Sequence, residues 1–299
     1  MAPSSAITSG PKANLLGSLF MVLAMGLFAL EDTFIKGAAG ELPVGEILML
    51  FGAGGAAAFA LLAIMRGERL LVAEVFSKVM LVRFLFEFTG RLFYVLALAL
   101  TPLSSATAIL QATPIVVVMG AALVFGEKVG WRRWSAILIG LVGVLIVLQP
   151  GTDAFSPLSI LAVIGMVGFA GRDLASRAAP RSLGTNLLGF YGFLTIVIAG
   201  AVFGAWEGEE LVVPSTASLI AIAAAVIAGV CAYSALMKAM RTGEVASVTP
   251  FRYSRLLFGA GMGVAFFGED IDAAMLIGCG LIVAAGLFIL IRGRQRKAA

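Results

Sequence analysis

Ten runs of about twenty predominantly apolar residues follow one another between residues 14 and 291. A run of that length crosses the hydrocarbon core of a bilayer as one helix, at about 1.5 Å of rise per residue over about 30 Å. The runs fall near 14–36, 43–65, 76–100, 102–125, 131–149, 157–178, 184–206, 215–240, 244–267 and 271–291. Short segments holding Gly, Pro or Ser separate them (GELPVGE, TPLSS, QPGTDAFSP, APRSLG, VVPSTAS), as turn chemistry requires. No connection exceeds about a dozen residues, so no appended soluble domain is expected. The first run is too long for a signal peptide, and nine more follow it. Composition agrees: 61% of the 299 residues are hydrophobic and 13% charged, with mean hydropathy +1.05. A soluble chain has about half and about a quarter, respectively. The expected fold class is an all-α integral membrane protein of ten transmembrane helices.

Lys and Arg gather in alternate connections. One set holds Lys12; Arg66, Arg69 and Lys78; Lys128, Arg132 and Arg133; Arg177 and Arg181; Lys238 and Arg241; and Arg292, Arg294, Arg296 and Lys297. The other set holds Glu41, Glu46, Asp153, Glu207, Glu209, Glu210, Glu269, Asp270 and Asp272, with almost no basic residue. The positive-inside rule then puts both termini in the cytoplasm. The net charge of +4 is accounted for by topology, and no nucleic-acid partner is expected.

The chain also repeats itself. FALEDTFIK at 28–36 matches FAGRDLASR at 169–177, and SATAILQATP from 105 with VFGEK matches SVTPFRYSR from 247 with FFGED. LIGLVGVLIV at 138 matches LIVAAGLFIL at 281, so the offsets are 141, 142 and 143. Each half, 14–149 and 157–291, then holds five spans. Five is odd, so the second half enters the membrane upside down. Two inverted five-helix repeats of this kind build a central cavity at mid-membrane and support alternating access.

Ten spans in two halves, Gly-Glu after the fourth and ninth spans (Gly126-Glu127, Gly268-Glu269), Pro114 in the fourth and small residues in the last resemble the EamA-type drug/metabolite transporters. The resemblance covers about residues 14–291 and is greatest to bacterial amino-acid and metabolite exporters, including the YddG-type aromatic amino-acid exporters. It implies a basket of helices whose cavity is lined by spans one to four and six to nine, with five and ten outside.

Charged residues inside these spans are informative, because each costs about 2.5–3.5 kcal/mol at a helix centre unless it turns inward and finds a partner. Span one carries Glu31, Asp32 and Lys36; their repeat mates in span six are Arg172, Asp173 and Arg177. The inverted arrangement places one cluster near each mouth, and the i,i+4 spacing brings Asp32 to Lys36 and Asp173 to Arg177. These read as gate charges. The alternative is that Lys36 and Arg177 snorkel to the interface while the acids neutralise them.

Span three spaces Arg83, Glu87 and Arg91 by four, with Tyr94 three further on. Arg83 is placed to snorkel toward the cytoplasm; Glu87 and Arg91 are too deep for that and face the cavity. Tyr233 of span eight aligns with Arg91 by the repeat. Span nine adds Arg252, Tyr253 and Arg255 after Pro250, and span four adds Gln111 and Thr113 beside Pro114. An amphoteric substrate needs a cation for its carboxylate, offered by Arg91, Arg252 or Arg255, and an acceptor for its amine, offered by Glu87 or Asp173. Phe and Tyr nearby suit an apolar side chain.

GAGMG at 259–263 lacks the preceding strand and following Lys of a phosphate-binding turn; Gly259 and Gly263 read as a close helix contact. Cys231 and Cys279 lie in apolar spans and read as packing, not as a disulfide or metal site. Trp131, Trp134 and Trp206 sit at span ends as interface anchors. The chain has no His, which removes the commonest proton switch and catalytic base. The expectation is a transporter and not an enzyme, without cofactor or metal, taking a small-molecule substrate in a bacterial-type inner membrane as monomer or homodimer. The leading reading is an exporter of amino acids or similar amphoteric metabolites. The alternatives are a phosphorylated-metabolite or cationic-drug carrier of the same superfamily, and a membrane enzyme or lipid-handling scaffold.

Overall fold

The computed structural model of the chain describes residues 11–125, 130–149, 156–180, 183–208, 210–242 and 249–295. Gly126, Glu127, Lys128, Asp153, Arg181, Glu209, Arg296 and Lys297 lie outside them, as do the side chains of Arg133, Arg177, Arg241, Arg292 and Arg294. Among the described residues all regular structure is helical. In lipid a segment must satisfy its own backbone polar groups, which a helix does.

The elements are α1 (Pro11–Ala38), α2 (Val44–Met65), α3 (Lys78–Leu100), α4 (Leu103–Leu110), α5 (Thr113–Phe125), α6 (Trp131–Leu148), α7 (Ser159–Ala178), α8 (Thr185–Glu207), α9 (Thr216–Thr242), α10 (Ser254–Phe267) and α11 (Ala273–Gln295). A 3₁₀ turn at Ala73–Phe76 precedes α3 and another at Thr249–Tyr253 precedes α10. They correspond to the ten expected spans, with α4 and α5 together forming the fourth. Six stretches are each long and apolar enough to cross a membrane, among them Lys12–Ala38, Leu103–Val124 and Thr216–Ala239. Trp134–Leu148 and Ala273–Phe288 are shorter apolar helices.

Span four breaks because of one residue. The carbonyl of Leu110 would take its helical bond from residue 114, but Pro114 has no N–H. The hydroxyl of Thr113 donates to that carbonyl instead. The break faces the 3₁₀ turn of span nine, and Gln111 Nε2 donates to the Arg252 carbonyl oxygen at 3.0 Å.

The helices pair across the halves: α1 with α9, α2 with α8, α3 with α7, α4 with α10 and α6 with α11. Exchanging each span for its repeat mate turns the first pair into the third and maps the others onto themselves, the signature of an inverted repeat. Close approach rests on small residues. A Cβ on Gly168 would overlap the backbone of Gly90, so α7 and α3 touch main chain to main chain. A Cβ on Gly259 would meet Thr107 at 2.6 Å, so the GAGMG stretch is the close helix contact its spacing suggested.

The Gly-Glu motif after span nine has a physical explanation. Gly268 ends α10 in the left-handed region, φ 61°, which glycine adopts without a Cβ penalty. That turn aims Glu269 at the start of span four, where its carboxylate accepts from Leu103 N–H at 2.5 Å and Ser104 N–H at 2.9 Å. Two otherwise orphaned N–H groups of one half are thus capped by the other half. Glu41, in the α1–α2 turn, makes a similar link. It accepts from the Ser215 N–H at 2.7 Å and from the hydroxyls of Ser215 and Ser218. The Ser218 and Ser215 bonds favour its charged form and hold its carboxyl below the usual range. The link is therefore present at neutral pH and lost as pH falls through that lowered value.

Candidate functional site

A cavity of about 90 Å³ lies between the halves. Span one lines it with Met25, Phe28 and Glu31, span three with Arg91 and Tyr94, and span four with Leu110, Gln111, Thr113 and Pro114. Phe169, Arg172 and Asp173 come from span six, Leu236 from span eight, and Arg252, Tyr253 and Arg255 from span nine. The broken stretches of spans four and nine are both part of the wall, where irregular backbone is tolerated in a membrane.

Its charges are paired across helices. Arg91 Nη1 meets Glu31 Oε1 at 2.7 Å. Arg255 Nη2 meets Asp32 Oδ2 at 2.6 Å, and the Tyr94 hydroxyl donates to the same oxygen at 3.0 Å. Asp32 is fully buried. Arg172 donates to Asp173 Oδ1 at 2.8 Å and to Glu87 Oε1 at 3.3 Å, and Glu87 also takes Arg83 at 3.4 Å. Aromatic rings support the cations. Arg91 lies 5.1 Å from the Phe51 ring, Arg255 5.1 Å from Phe28 and Arg172 4.8 Å from Phe169.

Of the residues singled out in the sequence, Arg91, Tyr94, Gln111, Arg172, Asp173, Arg252, Tyr253 and Arg255 meet at this cavity. Others are placed differently. Lys36 does not pair with Asp32; it donates to the carbonyls of Leu98 at 3.0 Å and Thr101 at 2.6 Å, closing the C-terminal end of α3. Arg83 does not snorkel. It is buried, and its Nε donates to the Ser176 hydroxyl at 2.9 Å. Glu87 is buried behind the wall between two arginines. Tyr233 stacks edge-on against Phe59, centroids 5.4 Å apart, and is not part of the wall. Nor do the charges of spans one and six form two separate mouths: Glu31 lines the same cavity as Arg172 and Asp173. The expected Asp173–Arg177 pair lies outside the described side chains.

Phe28 and Phe169 were not singled out. A signal existed, since the repeat superposes Phe28 on Phe169, and each carries an arginine against its ring. Among the described residues, no group of three His, Cys, Asp or Glu is placed to hold a metal ion. The arrangement offers cations, exchangeable carboxylate partners and aromatic faces, which is binding chemistry.

Comparison with known proteins agrees. The EamA-like transporter family matches residues 15–149 and again 157–291. A pseudopaline exporter of Pseudomonas aeruginosa is 29% identical over 276 residues, 90% of this chain and 94% of that one. A riboflavin transporter of Rhizobium johnstonii is 29% identical over 69% of this chain and 68% of its own. An S-adenosylmethionine uptake transporter of Rickettsia felis is 24% identical over 70% of each. A solved crystal structure with 20% identity shares the fold, with a TM-score of 0.62 over 94% of this chain and 98% of that one. With both halves matched, the chain belongs to the EamA-like transporter family, a multi-pass membrane transporter and not an enzyme.

Proposed function

We propose that this transporter exports amino acids or similar small amphoteric metabolites across a bacterial-type inner membrane. The two five-span units, 14–149 and 157–291, rock against each other around the cavity to give alternating access. Both termini face the cytoplasm, as the distribution of Lys and Arg favours. A cysteine at Asp270 is then labelled by an impermeant reagent from outside, and one at Arg132 only from inside; labelling at 132 from outside overturns that orientation.

One observation supports the substrate reading most. Arginines, a carboxylate on the exposed side of its ion pair and aromatic rings converge on a single cavity between the halves. Arg252 suits a substrate carboxylate, Asp173 an amine, and Phe28, Phe169 and Tyr94 an apolar or aromatic side chain. The names of the relatives include an exporter and an uptake transporter, so direction rests on the proposal. Four arginines on one cavity wall also favour a second reading, a phosphorylated metabolite.

Counterflow in proteoliposomes tests both. Preloaded amino acids are expected to accelerate entry of labelled amino acid, while organic cations leave it unchanged. Exchange of sugar phosphates alone would establish the second reading, and exchange of organic cations alone would overturn both.

A further inference from the structure

The ion pairs around the cavity do not balance. Glu31 is matched by Arg91, Asp32 by Arg255, Asp173 by Arg172, and Glu87 by Arg83 and Arg172. Arg252 also lines the cavity and has no carboxylate partner among the described residues. Among the described residues five guanidinium groups thus face four carboxylates, leaving one positive charge in excess. The pairs also differ in how readily they can exchange. The side chains of Arg172 and Asp173 are 25% and 28% exposed, whereas no side chain in the Arg83–Glu87, Arg91–Glu31 or Arg255–Asp32 pairs exceeds 14%.

We infer that the cavity selects solutes of one net negative charge, namely amphoteric molecules with two carboxylates and one amine, and that Arg252 sets this preference. The inference rests on the amphoteric reading above and narrows it. One substrate carboxylate takes the fork of Arg252. The amine replaces Arg172 on Asp173, the most exposed of the carboxylates. Arg172 keeps its bond to Glu87 and turns its freed N–H groups to the second carboxylate. Every charge then has a partner. A zwitterion with a single carboxylate leaves the excess in place, and a cation doubles it, which surroundings of low dielectric penalise.

The test compares glutamate with glutamine, which are alike in shape and differ by one charge, and with lysine. Counterflow is run in proteoliposomes without a membrane potential. Wild-type protein is expected to favour glutamate over glutamine by roughly 10- to 100-fold, the range of one charge-assisted hydrogen-bonded contact, with lysine last. Arg252→Gln is expected to slow exchange of both and to remove the difference between them, glutamate losing about 10- to 100-fold more than glutamine. Arg252→Lys keeps its sign but weakens it, because an ammonium lacks the bidentate fork. Glutamine exchanging as well as glutamate in the wild type overturns this inference alone. Survival of the preference in Arg252→Gln overturns the assignment of Arg252. Exchange of sugar phosphates with no amino acid exchanged overturns the amphoteric reading and this inference with it.

Discussion

Asp32→Ala is expected to destabilise the folded protein by about 3–5 kcal/mol, the usual result of stripping one partner from a buried ion pair. Asp32 is fully buried and accepts from both Arg255 at 2.6 Å and Tyr94 at 3.0 Å. Its removal leaves a guanidinium from span nine with no counter-charge at that position. The loss belongs to the uncompensated charge, so removing both partners should behave differently. Asp32→Leu combined with Arg255→Met should recover most of it, because a well-packed apolar pair of similar volume is often neutral against an ion pair. Asp173→Ala is the control, since its partly exposed pair with Arg172 should contribute no more than about 1 kcal/mol. Thermal unfolding of the purified variants checks the series. Equal losses for Asp32→Ala and Asp173→Ala would show that the buried pair has no special structural weight.

Gly168→Ala is expected to cost about 1–3 kcal/mol through overpacking and to slow transport by at least about tenfold, equivalent to about 1.4 kcal/mol in the barrier. The added Cβ would overlap the main chain of Gly90, and backbone on a neighbouring helix cannot rotate aside as a side chain can. Relief requires α7 to move off α3. The residues beside this contact are Arg91 on one helix, and Phe169 and then Arg172 on the other, so separation also stretches the 3.3 Å bond between Arg172 and Glu87. Gly280→Ala in α11 is the matched control, because its Cβ meets nothing within 4 Å. Alanine there should be neutral or stabilising by up to about 1 kcal/mol from helix propensity. Measured exchange rates and unfolding temperatures for the two variants settle the matter; a Gly168→Ala protein that transports like wild type would refute the close contact.

The same contrast between local and distant causes separates what could be read along the chain from what could not. Spans such as 43–65 and 131–149 were legible to within a few residues, because a run's length against the bilayer is a property of the run itself. The break in span four has an equally local cause, although residues 102–125 were expected as one unbroken run. Pro114 removes a hydrogen bond within its own helix whatever lies beside it. That buried charges such as Glu87 and Arg91 face inward also followed, since lipid rejects them on any other face.

Their partners did not follow. Spacing offered Lys36 to Asp32, but Asp32 takes Arg255 from the other half of the chain, and Lys36 closes the carbonyl end of α3. Arg83 had a plausible route to the cytoplasm, yet Ser176 of the opposite half holds it. The glycine contact of Gly90 with Gly168 brings α3 and α7 within reach of each other, and so sets Arg172 against Glu87 and Arg83 against Ser176. Sequence alone determined how many helices cross the membrane, where one of them breaks and which faces are polar, because each is set within a single helix by lipid. Only the tertiary structure decided the pairing of charges around the cavity, because an ion pair in lipid belongs to whichever helices pack closely enough to share it.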